Sequence, residues 1–248
     1  MVACAAREIG DGDVVFVGMR LPLLAFALAV STHAPRAVGV FENGVMRDTP
    51  PRGPVVTMSD PPNLDGALWA GALSRAMALL AGGHVDLGFI GGAQIDRHAN
   101  LNTTRIGPAD APRVRLPGSG GGCDIACAAR RLLVVMPHEP RRFVERGRPP
   151  DQPRLRRRPR LARAGRAARL RVGHADHHQG GAARHRGHRR IRAGVGPPRR
   201  AGRRRGRRHP WGWPAGEPRA APVTKAPDRE VLEALRALDP ERVWTGDG

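Results

Sequence analysis

Short apolar runs alternate with longer helix-like stretches through the first 146 residues of the chain. Runs such as Val14–Val17 are apolar at every position, which is typical of strands buried on both faces of a parallel sheet. The stretch 21–34 is too long for such a strand, and Pro22 suits a first helical turn. The pattern predicts strands at 14–17, 37–41, 85–90 and 132–136, and helices at 21–34, 64–81 and 123–131.

This alternation predicts an α/β fold, with an open, mainly parallel sheet and helices on both faces. Gly82 and Gly83 would end the second helix, because glycine readily adopts the conformation that closes a helix. The stretch 114–116 leads into a glycine-rich loop at 117–122. Near the C-terminus the pattern predicts an amphipathic helix over 228–236, with Asp228 as its N-cap.

Residues 147–222 break the pattern. This segment has three Leu, two Val, one Ile and two Trp in 76 residues, and no Phe or Met. Such a segment buries too little apolar area to offset about 1–2 kcal/mol of backbone entropy per residue. We therefore divide the chain into a domain at 1–146, an Arg/Gly/Pro-rich segment at 147–222 that we expect to be disordered, and a C-terminal helix and tail at 223–248.

The charge of the chain is concentrated in the same segment. The whole chain carries a formal net charge of +20 and a pI near 11.8. Residues 147–222 hold 23 Arg against three acidic residues, whereas the remainder holds 19 basic and 19 acidic residues. A nucleic-acid-binding interpretation, which a basic protein ordinarily invites, therefore depends on this segment alone.

The cysteines and the N-terminus favour a cytoplasmic protein. Cys4, Cys123 and Cys127 are odd in number and have no metal-ligand spacing, so we expect reduced thiols. Charged residues occupy the N-terminal region where a signal peptide needs an apolar core, and no run reaches the ~20 apolar residues of a membrane helix. We expect neither a membrane partner nor a permanently bound cofactor.

Glu42 is the strongest candidate for chemistry. It ends an apolar run and is followed by Asn43 and Gly44, a turn pair, which would present one acid at the mouth of the sheet. A desolvated carboxylate can attack an acyl thioester to give a mixed anhydride. The alternative is a solvated turn acid.

Two glycine-rich stretches are further candidates. Glycines before a helix, as in 118–122, let main-chain N–H groups converge on a phosphate or an oxyanion, although such a loop is often only a tight connection. The stretch 91–96 follows a buried strand and places Gln94 near the carboxyl end of the sheet, where turn chemistry explains it equally well. Neighbouring histidines at 174, 177 and 178 lack acidic or cysteine partners, and we predict no metal site.

Six motifs occur in a fixed order along the chain: Val17-Gly18-Met19-Arg20-Leu21-Pro22, Glu42-Asn43-Gly44, Phe89-Ile90-Gly91-Gly92-Ala93-Gln94-Ile95-Asp96, Gly118-Ser119-Gly120-Gly121, His138 to Phe143, and Ala226-Pro227-Asp228. Together they resemble the β subunit of class I coenzyme A transferases, most closely the glutaconate type, with the 3-oxoacid and 3-oxoadipate enzymes as relatives. The resemblance covers about residues 2–146 and 223–245. One departure is Phe41, where many relatives carry Ser.

The resemblance implies a ping-pong transfer of CoA from an acyl-CoA to a free carboxylic acid, with Glu42 as the nucleophile and a covalent glutamyl-CoA intermediate. It also implies activity only with a separate α subunit, at a site on the subunit contact. The implied oxyanion donors are Gly18, Met19, Gly120 and Gly121, and the implied CoA-binding residues are Asn43, Gly44, Gly91, Gly92, Ala93, Gln94, Gly118 and Ser119.

The family continues with strands and glycine turns where this chain has residues 147–222. We interpret the segment as the family's own gene read out of frame between two compensating shifts, which leaves open whether the chain as written is functional. Residues 176–179, Asp-His-His-Gln, test this. Their codons, read one nucleotide later, give three residues that are each Ile or Thr, followed by Lys or Arg.

Two other functions stay open. An acyl-CoA hydrolase of the same fold would use water in place of the acceptor acid. A genuine Arg-rich insertion would instead bind DNA or RNA with steep salt dependence, although Trp211 and Trp213 are its only aromatics for base stacking.

Overall fold

The fold is built on one large mixed sheet. The computed structural model describes residues 1–96, 100–137, 139–144 and 225–246, together with the backbone of three strands between residues 169 and 193. Within the described residues this sheet has nine strands: β1 (Val14–Val17), β2 (Val38–Phe41), β3 (Val45–Arg47), β4 (Trp69–Ala70), β5 (Leu87–Ile90), β10 (Arg131–Pro137), β12 (Arg169–Ala175), β13 (Gly180–His185) and β14 (Ile191–Ala193). Their order across the sheet is β14-β13-β12-β10-β5-β1-β2-β3-β4.

The five central strands of this sheet are parallel and two antiparallel strands flank them on each side. β1 pairs in parallel with β2 and β5, and β10 pairs in parallel with β5 and β12. The pairs β2–β3, β3–β4, β12–β13 and β13–β14 are antiparallel. The α/β prediction is confirmed, with a parallel centre and antiparallel edges.

Helices cover both faces of the sheet, as predicted. Along β1, Val15 and Val17 pack with one core cluster and Phe16 with the other, because successive strand residues face opposite sides. α1 (Val2–Ala6), α2 (Leu21–Thr32) and α6 (Arg229–Leu238) pack with the first cluster, and α4 (Leu73–Ala81) and α5 (Gly122–Ala128) with the second.

Smaller elements connect these layers. α3 (Pro61–Leu64) and a 3-10 helix, Pro140–Arg142, are single turns. β6 (Gln94–Asp96), β7 (Leu101–Asn102) and β11 (Phe143–Val144) form a three-stranded sheet, and β8 (Arg105–Ile106) pairs with β9 (Val114–Arg115).

The prediction of one helix over 64–81 was wrong. α4 begins only at Leu73, and the preceding residues contain the edge strand β4. Gly66 adopts a φ of +69°, a conformation that interrupts a right-handed helix. Leu68, expected on the buried face of the helix, is instead 57% exposed.

Part of the segment 147–222 also differs from the prediction of disorder, because β12, β13 and β14 extend the large sheet. β12 pairs with β10 over the full length Arg131 to Pro137. Strand pairing is formed by hydrogen bonds between main-chain groups, which every residue type carries. The low apolar content of the segment therefore gave no sign of these strands. The rest of the segment, including residues 176–179, lies outside the described residues.

The C-terminal helix is confirmed, and so is its cap. Asp228 Oδ1 accepts a hydrogen bond from the N–H of Val231 at 3.0 Å, as an N-cap side chain does. Val231, Ala234 and Leu235 pack against the core cluster that contains α2. Across the described part of the chain, none of the helices has the length and apolar character needed to cross a membrane.

Candidate active site

A cavity of about 370 Å³ lies at the carboxyl ends of the central strands. Its walls come from the end of β1 with the following turn, from the end of β5, and from the glycine-rich loop before α5. Glu42, which directly follows β2, contributes a carboxylate to this cavity. In open α/β sheets ligands bind outside the carboxyl ends of the strands, which is where this cavity lies.

The turn after β2 holds Glu42 at the cavity. The N–H of Gly44 donates to Phe41 O at 2.9 Å, and Asn43 Nδ2 donates to Met58 O at 2.8 Å. Glu42 is half-buried, and among the described residues its carboxylate makes no hydrogen bond or ion pair. The carboxylate oxygens are therefore available to a ligand in the cavity.

Gly121 lies directly beside this carboxylate. A Cβ on Gly121 would be 2.8 Å from Glu42 Oε1 and 3.7 Å from Met77 Cε. Because Gly121 has an ordinary φ of −71°, only the missing side chain, and not a special backbone conformation, requires glycine here. The glycine-rich loop and Glu42, nearly 80 residues apart in sequence, thus form one site.

The rest of the loop is shaped by glycine conformations and main-chain hydrogen bonds. Gly118 and Gly120 have φ values of +98° and +48°. The N–H of Gly118 donates to Thr103 O at 2.9 Å, and that of Gly122 donates to Ser119 O at 2.8 Å. Among the described residues, the N–H groups of Gly120 and Gly121 have no such acceptor.

The turn after β1 forms another wall of the cavity, where Gly18 and Met19 lie. The next residue, Arg20, has φ +67° and ψ −123°, a conformation that costs a non-glycine residue on the order of 1–3 kcal/mol. Such strain persists only where surrounding contacts hold the chain, and it recurs at ligand-binding turns.

The structure brings the predicted nucleophile and the predicted oxyanion donors together, since Glu42, Gly18, Met19, Gly120 and Gly121 all line the cavity. Of the predicted CoA-binding residues, Gly91, Gly118 and Ser119 line it as well. Asn43, Gly44, Gly92, Ala93 and Gln94 are not among its lining residues.

Several of these outlying residues have contacts within the chain that explain them. Gln94 Oε1 accepts from Asn102 Nδ2 at 2.8 Å, which joins β6 to β7. Gly44 O accepts from the N–H of Gly71 at 3.1 Å, and a Cβ on Gly44 would lie only 2.3 Å from Gly71 O. The side-chain amide of Asn43 donates a hydrogen bond to the carbonyl oxygen of Met58. Their roles in CoA binding remain predictions.

Sequence reasoning missed Met58, Thr103 and Ile125, which also line the cavity. Met58 lies in the irregular stretch between β3 and β4, where no hydrophobic period identifies a wall residue. Asn63 Nδ2 donates to Met58 O at 2.7 Å, so two asparagine side chains fix this carbonyl. No signal in the sequence pointed to this arrangement.

Arg47 organises the same stretch and was also missed. Its side chain is fully buried, and its guanidinium donates to the carbonyl oxygens of Thr49 (2.7 Å), Pro50 (2.8 Å) and Asn63 (2.7 Å). Burial lowers the pKa of Arg47, and the nearby positive charge of Arg52 adds to the effect. Main-chain oxygens replace the carboxylate that usually accompanies a buried guanidinium.

No group of three or more His, Cys, Asp or Glu side chains suited to a metal ion occurs in the described ranges. The side chains of His174, His177 and His178 lie outside those ranges.

Residues 1–147 match the model of the Coenzyme A transferase family. The chain is 38% identical over 149 residues to the B-type subunit of 3-oxoadipate CoA-transferase from Pseudomonas knackmussii, covering 59% of this chain and 56% of that protein. It is 35% identical over 156 residues to the B-type subunit of glutaconate CoA-transferase from Acidaminococcus fermentans, covering 57% and 54%. The matched region thus spans little more than half the length of these curated relatives.

The fold is similar to two solved structures over nearly the whole chain. The crystal structure of glutaconate coenzyme A-transferase from Acidaminococcus fermentans matches with a TM-score of 0.82 and 24% identity, covering 100% of this chain and 96% of that one. The decarboxylase AibA/AibB matches with a TM-score of 0.77 and 26% identity, covering 98% and 94%.

Proposed function

Because the chain belongs to the coenzyme A transferase family, we propose that it is the β-type subunit of an enzyme that moves CoA from an acyl-CoA to a free carboxylic acid. The observation that carries this proposal is the position of Glu42. Its carboxylate lines the cavity, makes no internal hydrogen bond among the described residues, and lies against Gly121.

The proposed reaction begins when a carboxylate oxygen of Glu42 attacks the thioester carbonyl. The C–S bond breaks, which leaves an acyl-glutamyl anhydride and the CoA thiolate. The thiolate then attacks the glutamyl carbonyl and displaces the donor acid as its carboxylate. The resulting glutamyl-CoA thioester reacts with the acceptor carboxylate through the same two steps in reverse, so the cycle consumes no water.

Each step passes through a tetrahedral intermediate with a negatively charged oxygen. The main-chain N–H groups of Gly120, Gly121, Gly18 and Met19, which all line the cavity, are the proposed donors to this oxygen. Loss of one such donor typically costs about 3–4 kcal/mol of transition-state stabilisation. CoA, a substrate and not a resident cofactor, would approach along Gly91, Gly118 and Ser119.

The proposal includes a partner α subunit. The similar transferase proteins are named as B-type subunits, and the decarboxylase AibA/AibB carries two names for its chains. We therefore expect activity from the complex and not from this chain alone.

The test is co-expression with an α-type partner and assay of CoA exchange between an acyl-CoA and a free acid. We expect Glu42→Gln to lower kcat more than about a thousandfold, the order seen when a covalent nucleophile is removed. Hydroxylamine should convert a glutamyl-CoA thioester at residue 42 into a hydroxamate, and borohydride should reduce it to an alcohol, with release of CoA in each case and in the wild-type complex only.

Activity that survives in the Glu42→Gln complex would exclude the covalent mechanism. Release of free acid without any acceptor, together with the absence of an adduct, would identify the hydrolase of the same fold instead.

A further inference from the structure

Trp244 connects two segments of the chain that adjoin the cavity. Its indole Nε1 donates to Val55 O at 3.1 Å, and its ring lies 5.3 Å from the guanidinium carbon of Arg20. Val55 precedes the cavity residue Met58 by three positions, and Arg20 directly follows the cavity residue Met19. One side chain thus contacts the Arg20 side chain next to one cavity-lining turn and the Val55 carbonyl near another cavity-lining residue.

Arg20, whose side chain contacts Trp244, is also the residue with the strained backbone conformation. Arg20 combines φ +67° with an exposed side chain, so its own burial does not hold the conformation. A guanidinium over an indole ring within about 6 Å is attracted by the π system, and tryptophan provides the strongest such attraction among the aromatic residues. The Trp244 ring is therefore placed to hold the turn that carries Gly18 and Met19.

The backbone around Trp244 is itself fixed by hydrogen bonds to a buried carboxylate. Asp239 is almost fully buried, and its Oδ2 accepts from the N–H of Trp244 at 3.2 Å and from both the N–H and the Oγ1 of Thr245 at 2.9 Å. α6 connects this turn to the core that contains α2. At the other end of α6, Arg7 donates to Lys225 O at 2.5 Å and to Ala226 O at 3.1 Å.

We propose that Trp244 is a positioning residue for the Glu42 site. It fixes the turn at 18–20 and the stretch at 55–58 against each other, so that residues 225–246 support from outside a cavity whose lining residues all lie between Phe16 and Ile125. The effect of Trp244 on turnover rests on the proposed transferase function, whereas the bracing of the two walls does not.

The first test measures hydrogen exchange in the full-length chain. Trp244→Phe keeps a ring beneath Arg20 but removes the Nε1 donor, and Arg20→Gln removes the cation but keeps the donor. We expect at least about tenfold faster amide exchange at 55–58 in the first variant and at 18–20 in the second. Exchange in β5 should stay unchanged, which shows that the variants are folded.

The matched control is Val243→Ala, because Val243 adjoins Trp244 but is 48% exposed. It should leave exchange at both walls unchanged. Unchanged exchange in both Trp244→Phe and Arg20→Gln would overturn the proposal, and so would equal acceleration in the control.

The second test measures turnover in the complex with the α partner. Misplacement of reacting groups by about 1 Å can cost a hundredfold, so we expect kcat to fall tenfold to a hundredfold in Trp244→Phe, with KM for the acyl-CoA changed less than about twofold. A loss confined to KM would overturn the positioning role. An inactive wild-type complex would contradict the transferase proposal, while the exchange experiment would still decide whether Trp244 braces the walls.

Discussion

At the scale of single residues, the site depends on one absent side chain. Glu42 can face the glycine-rich loop at close range only because position 121 has no Cβ, which would lie 2.8 Å from Oε1. The sequence identified both residues, yet it offered no reason for glycine at 121 in particular. That reason is the close approach of the Glu42 side chain to the backbone at position 121, which no local pattern contains.

Gly121→Ala should therefore displace the Glu42 carboxylate without disturbing the backbone. Alanine adopts the φ of −71° readily, so we expect the free energy of unfolding to change by less than about 1 kcal/mol. CoA transfer should fall on the order of a hundredfold, because the proposed nucleophile, Glu42, leaves its position. Activity assays and urea denaturation measure the two effects.

Gly83→Ala is the matched control for this prediction. Gly83 has φ +76°, and a Cβ there would meet no atom within 4 Å. Backbone strain should lower its stability by about 1 kcal/mol while transfer stays unchanged. A loss of activity in the Gly83 variant equal to that in the Gly121 variant would show that general destabilisation, and not displacement of Glu42, explains both.

A second residue-scale prediction concerns Asp60, which organises the stretch before α3. Its carboxylate accepts from Thr57 Oγ1 at 2.6 Å, Thr57 N at 2.8 Å and Val56 N at 2.6 Å. These hydrogen bonds hold the pKa of Asp60 below its usual value of 3.8. The hydrogen bond from the Thr57 side chain has the largest effect.

Because the folded pKa is depressed, the contribution of Asp60 to stability is present above about pH 3.8 and is lost as the pH falls through the folded value. We expect an NMR titration of the Asp60 carboxyl to show a midpoint below 3.8. Asp60→Asn should flatten the pH dependence of stability in that acid range. A midpoint at or above the usual value would contradict the prediction.

At the scale of elements, continuous apolar runs were the most informative signal. β1, β2, β5 and β10 all occur where such runs predicted strands, because both faces of these central strands are buried. The region 64–72 was mispredicted because Gly66 and the edge strand β4 interrupt an apparently helical pattern. The stretch between β3 and α3 had no period to detect, since its conformation depends on the carbonyl contacts of Arg47.

The N-cap of α6 offers a test at this scale. Asp228→Ala removes the hydrogen bond to the N–H of Val231, which should destabilise the helix by about 1 kcal/mol. Amide exchange in Arg229–Leu238 should then accelerate roughly fivefold. Asp228→Asn keeps an acceptor oxygen and should exchange almost as slowly as the wild type. Equal acceleration in both variants would show that charge, and not capping, stabilises the helix.

At the scale of the whole molecule, sequence similarity and structural similarity extend over different lengths. The family model ends at residue 147, where the Arg-rich segment begins, whereas the similar solved structures cover 98–100% of the chain. The out-of-frame origin of the segment remains a hypothesis, and it accounts for both the sudden change of composition and the return of a capped helix at α6.

Resequencing of the gene and intact-mass spectrometry of the native protein would test this hypothesis. Two compensating shifts should appear on either side of the segment, and the intact mass should differ from the 26.7 kDa of the chain as written. An unchanged mass would establish a genuine basic insertion. A salt-titrated binding assay with DNA and RNA would then show whether its 23 arginines bind phosphates.

The cavity wall also contains sulfur. Met19 and Met58 line it, and Met77 lies close to Gly121. Peroxide converts a thioether into a polar, chiral sulfoxide, which thiol reductants used in purification do not reverse, because that repair requires methionine sulfoxide reductases. Oxidation in preparations that age in air should therefore alter the cavity wall, while the Glu42 carboxylate itself stays chemically intact.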